Sequence, residues 1–97
     1  MKVEFTKRAV NDLREIAAHS HQQFGQRVTA ALEQRIRDIT IQIGNAPDSA
    51  PRVEQRPGMR VLPLLRYPFK VFYRVVGDTV RIVHIRHTAR RPWRRTE

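Results

Sequence analysis

The chain has 97 residues, 19 Lys and Arg against 9 Asp and Glu, and no Cys, for a formal net charge of +10. At this length a second folded domain is excluded, since domains usually run ~100–150 residues. The lack of Cys excludes a disulfide scaffold, a thiol nucleophile and a thiolate metal site. No apolar run approaches the ~20 residues of a membrane span. The opening Met1-Lys2-Val3-Glu4-Phe5 enters a strand-like pattern without the apolar region of a signal peptide. A single cytoplasmic domain over 1–97, with a basic tail from about 88 and no membrane partner, is expected. Hydrophobic residues make up 40% of the chain, enough for one thin core.

The positive charge is uneven. Residues 1–45 hold seven basic and five acidic side chains, whereas residues 46–97 hold twelve basic and four acidic. Sixteen of the nineteen cations are Arg, which binds phosphate and carboxylate with a planar fork. The second half therefore reads as built to meet an anion, either nucleic acid or an acidic protein.

Lys2 to Phe5 predicts a short strand, and Thr6 a helix N-cap. Ala9, Val10, Leu13, Ile16, Ala17 and Phe24 follow at helical spacing. Asp12 and Glu15 sit in the first half, where the helix dipole favours acids. Gly25 ends this helix. A second runs from about Gln26 to Ile43 on the stripe Val28, Leu32, Ile36, Ile39, Ile43. Gly44-Asn45 and Pro47 stop it, leaving an αα-hairpin. Residues 45–58 contain three prolines and no periodicity, a loop that is either functional or a spacer.

From Met59 the period changes to two. The pattern predicts strands over Arg60 to Tyr67 (interrupted by Pro63), Phe69 to Val76 and Thr79 to His87, with a two-residue turn at Gly77-Asp78. That turn pairs Val76 with Thr79, Arg74 with Arg81, Phe72 with Val83 and Lys70 with Ile85. Phe69, Val71, Tyr73, Val75, Val80, Ile82, His84 and Arg86 would then face the helices. Lys70, Phe72, Arg74, Val76, Thr79, Arg81, Val83, Ile85 and His87 would form the other face. Two arginines directly opposite repel, unless an anion sits between them.

The tail carries Arg90, Arg91, Arg94 and Arg95 around Trp93. Cations interleaved with an aromatic suit phosphate contact plus stacking, or Trp93 folds onto the core. His19 and His21 are two apart on a helix and do not share a face. No Gly-rich phosphate loop, Ser/His/Asp set or metal cluster is present, so no cofactor and no metal are implied.

The order strand, helix hairpin, Pro-rich loop, three-stranded meander and basic tail resembles the ParE/RelE toxins of bacterial type II toxin–antitoxin systems. The residues that carry the resemblance are Val71-Phe72-Tyr73-Arg74-Val75, a turn, then Val83-His84-Ile85-Arg86-His87. Val3-Glu4-Phe5-Thr6 with Ala9, Asp12 and Leu13 adds to it. The implied fold is α+β: a small antiparallel sheet in β-α-α-β-β-β order with the helix hairpin on one face. The implied partner is an acidic, partly disordered antitoxin that forms a hetero-oligomer with the toxin. It would insert apolar side chains beside the hairpin, at Leu13, Ile16, Phe24 and Leu64. Helix-in-groove docking and strand addition are both open modes, with the Pro63 edge strand as a boundary for the second.

The resemblance implies one of two targets. ParE-like members inhibit DNA gyrase, and RelE-like members cut messenger RNA on the ribosome. Cleavage needs a base, an acid and cations for the phosphorane charge. A RelE-like set here would be Lys70, Arg74, Arg81, His87 and Arg90, with His87 standing in for an absent C-terminal Tyr. That set is incomplete, which favours the gyrase branch, with Arg86, Arg90, Arg91, Trp93, Arg94 and Arg95 as the expected target contacts. A plain nucleic-acid module ranks third, because no helix carries a concentrated basic face.

Overall fold

Thr6 sets the first boundary. Its backbone is extended, and its hydroxyl accepts from the Ala9 N–H at 3.1 Å, satisfying one orphan donor of the first helical turn. The structure, a computed structural model, describes residues 1–88. β1 spans Lys2–Phe5 and α1 spans Lys7–Phe24. Gly25 follows at φ +89°, where an L side chain is strained. Its N–H donates to the His21 carbonyl, and α2 begins at the next residue, spanning Gln26–Asn45. The expected hairpin forms with almost no linker. Leu32, Ile36, Ile39 and Ile43 of the α2 stripe are buried, while Val28 lies beyond the core and is exposed.

The remaining strands are β2 (Met59–Pro63), β3 (Phe69–Val76) and β4 (Thr79–His87), and the sheet order is β1-β4-β3-β2. The meander is antiparallel, but β1 joins β4 in parallel, so the sheet is mixed rather than purely antiparallel. This pairing sets Val3 beside Val80 and Phe5 beside Ile82 on the helix side. Lys2 and Glu4 fall on the outer face.

The turn-proximal register is the expected one, with Val76 opposite Thr79 and Arg74 opposite Arg81. It then shifts. Tyr73 lies opposite Ile82, but Phe72 lies opposite His84, so Val83 is the extra residue of a β-bulge. The expected pairs Phe72–Val83 and Lys70–Ile85 are replaced by Phe72–His84 and Lys70–Arg86. Ile85 turns into the core at 3% exposure, and Arg86 moves to the open face. The bulge falls where β1 stops and α1 takes over the β4 edge. There Thr6 N–H donates to the Ile82 carbonyl, Thr6 Oγ1 donates to the Val83 carbonyl, and Asp12 Oδ2 accepts from Ile85 N–H at 3.0 Å.

The core joins Leu32, Ile36, Ile39 and Ile43 to Val71, Tyr73, Val80, Ile82 and Ile85, with Ala9 closing it from α1. The Pro-rich loop is fastened to the sheet. The Tyr73 hydroxyl donates to the Pro47 carbonyl at 2.7 Å, and the Arg60 guanidinium donates to the Ala50 and Asp48 carbonyls. Burial pushes the Tyr73 hydroxyl above its ordinary pKa, so it stays a donor. The loop also covers part of the β2 edge. Val53 N–H bonds the Met59 carbonyl, and Val61 N–H bonds the Pro51 carbonyl. β2 stops at Pro63 rather than running to Tyr67. Leu64 to Phe69 form a turn closed by Leu64 N–H to the Phe69 carbonyl at 2.9 Å.

Candidate functional site

The sheet presents two surfaces of opposite character. On the open face, Lys70, Arg74, Arg81 and Arg86 share one side of β3 and β4, with Arg74 and Arg81 directly opposite. Glu4 joins them there, its carboxylate 4.0 Å from Arg81. The Arg74 Nε–H is buried without a hydrogen-bond partner among the described residues. Such a surface stabilises an arriving anion and repels cations.

His84 sits at the border of this face, with its ring stacked on Phe72 at a centroid distance of 5.9 Å. It lies opposite Phe72, not on the helix side where strict alternation would place it. Its Nδ1 meets Asp12 Oδ2 at 2.7 Å, and its Nε2 meets the Arg8 guanidinium at 3.4 Å. A guanidinium only donates, so Nε2 is the acceptor and the ring proton resides on Nδ1. Burial lowers the His84 pKa against the raising effect of Asp12. The imidazole is therefore neutral near pH 7 and engaged at both nitrogens, tying α1 to β4. Asp12, read from sequence as a dipole acid, is the shared acceptor of this tie.

His87 is separated from the cationic group. It pairs with Phe69, whose ring meets it edge-on at 5.1 Å, on the same side as Val71 and Ile85. The five-residue set expected for RNA cleavage is thus divided. Lys70, Arg74 and Arg81 share a face, His87 is on the other, and Arg90 lies outside the described residues. Arg91, Trp93, Arg94 and Arg95 lie outside them too.

The second surface is a groove of about 200 Å³ between the helices, lined also by Phe5. Leu13, Ile16 and Ala17 of α1 face Leu32, Glu33, Ile36, Arg37 and Thr40 of α2 across it. Two of the four expected docking residues, Leu13 and Ile16, line it. Phe24 is 65% exposed at the tip of the hairpin and does not line the groove. Leu64 is 2% exposed inside the core and is not on a surface. An apolar residue just after a strand reads equally well as edge or core, and here the turn folds it inward.

The sequence matches the family described as ParE toxin of type II toxin-antitoxin system, parDE, over residues 3–92. The chain therefore belongs to the ParE toxin family of type II toxin–antitoxin systems. Among solved structures it is similar to the chromosomal ParDE system of P. aeruginosa. That match has 28% identity and a TM-score of 0.81, covering 90% of this chain and 95% of that one. It shares its fold with the toxin–antitoxin complex RelBE of E. coli, at 17% identity and a TM-score of 0.60 over 93% of this chain and 98% of that one. The isolated E. coli RelE toxin gives 15% identity and a TM-score of 0.60, over 93% and 86%. No curated protein sequence matches the chain. No described helix is long and apolar enough to cross a membrane.

Proposed function

We propose that this toxin arrests growth by inhibiting DNA gyrase in the cytoplasm and is neutralised by an acidic antitoxin that fills the groove between α1 and α2. The engagement of His84 by Asp12 and Arg8, and the placement of His87 on the opposite side from the cations, carry the choice of target. Phosphodiester cleavage by a 2′-hydroxyl needs a base beside the cations that stabilise the phosphorane. Among the described residues, His87 faces away from Lys70, Arg74 and Arg81, and His84 spends both nitrogens on Asp12 and Arg8. The greater likeness to the P. aeruginosa ParDE system than to RelE supports the same branch. Arg86 and the tail residues Arg90, Arg91, Trp93, Arg94 and Arg95 are the proposed target contacts.

The second reading is ribosome-dependent cleavage of messenger RNA. It is favoured by Lys70, Arg74 and Arg81 sharing one open face. Brief induction in cells separates the two. Gyrase inhibition relaxes a reporter plasmid and leaves messenger RNA intact. Cleavage leaves plasmid supercoiling unchanged, places new 5′ ends in codons at the ribosomal A site, and would refute the gyrase reading.

A further inference from the structure

Resting on the antitoxin reading of the groove, we infer that Glu33 selects the partner. It demands a Lys or Arg on the docked helix, within a segment that is otherwise acidic.

The groove is apolar except along α2, where Glu33, Arg37 and Thr40 line it, with Glu33 and Arg37 one turn apart. Arg37 is already engaged: its Nη2 donates to Gln34 Oε1 at 3.1 Å, and Gln34 donates in turn to Asp38. Among the described residues, no hydrogen bond or ion pair reaches the Glu33 carboxylate, which water solvates. An apolar segment laid over Leu13, Ile16, Leu32 and Ile36 strips that water. Burying a carboxylate without a counter-ion is costly, and a paired cation offsets the cost.

The net charge of +10 draws an acidic partner at long range. Glu33 inverts that preference at one point and rejects any acidic helix that presents Asp or Glu there. Specificity of this kind rests on a repulsive element as much as on an attractive one.

The test uses the full chain and its cognate antitoxin. Affinity is measured for the unaltered toxin, Glu33→Lys and Leu13→Asp, with folding checked by circular dichroism. Each Lys and Arg of the antitoxin is then changed singly to Glu and tested against Glu33→Lys. Glu33→Lys is expected to weaken binding about 10- to 100-fold, and one antitoxin reversal to restore most of the loss. If Leu13→Asp abolishes binding while Glu33→Lys leaves it unchanged, the inference fails and the groove reading stands. If no antitoxin reversal restores binding to Glu33→Lys, the inference also fails. If neither toxin substitution weakens the complex, or the unaltered pair does not bind, the groove reading fails and takes the inference with it.

Discussion

Residues 81 and 82 are neighbours on β4 yet belong to different chemistries. Ile82 is wholly buried against the helices, and Arg81 stands exposed on the open face opposite Arg74. The core on the helix side of the sheet is built from aliphatic side chains and Tyr73, with Phe69 packed against it, so burial of apolar area holds the fold together there. The open side gathers like charges that add little to stability and are retained where they will be compensated by something else. One face is spent on folding and the other is left for contact.

The sharpest way to break this division is to truncate both neighbours. Ile82→Ala should cost about 2–5 kcal/mol in denaturant unfolding, through lost burial and the cavity left behind. Tyr73→Phe should cost less, about 1–3 kcal/mol, by leaving the Pro47 carbonyl without its donor. It should also speed proteolysis within residues 46–58. If unfolding and proteolysis rates both match the parent, the loop is not fastened through that hydroxyl.

A smaller effect comes from His84, at the seam between the faces. Its pKa in the folded protein lies below the ~6.5 of an unfolded chain. Between those values the unfolded state binds more protons, so stability rises with pH across that window and falls on acidification below about 6.5. Replacing His84 with Asn should flatten this part of the stability–pH curve. An unchanged slope would mean that another group governs it. Least of all, Arg81→Ala should shift stability by no more than ~0.5 kcal/mol. A loss comparable to that of Ile82→Ala would erase the distinction between the faces.

Much of this was legible locally. Thr6, Gly25 and the stripe from Leu32 to Ile43 declare the helix hairpin through capping and period. Gly77-Asp78 fixes the first pairs of the β3–β4 hairpin. What failed were the features decided by distant contacts. The bulge at Val83 depends on Thr6 and Asp12, more than seventy positions away in the chain. One local trace of it existed: Val80, Ile82 and Ile85 break strict alternation, and that spacing marks an extra residue. The slip displaces every side chain beyond it, so His84, Ile85, Arg86 and His87 lie on the faces opposite to those that strict alternation predicts. In the groove, Leu13 and Ile16 were legible as the apolar face of an amphipathic helix. Glu33 carried no signal, because a lone exposed acid on a helix gains meaning only from what lies across from it.

The gyrase target is the central claim. Supercoiling of relaxed plasmid by purified gyrase, titrated with the folded toxin, tests it most directly. Supercoiling should fall as toxin is added and return when the cognate antitoxin is supplied. Full supercoiling in the presence of folded, antitoxin-binding protein would contradict it.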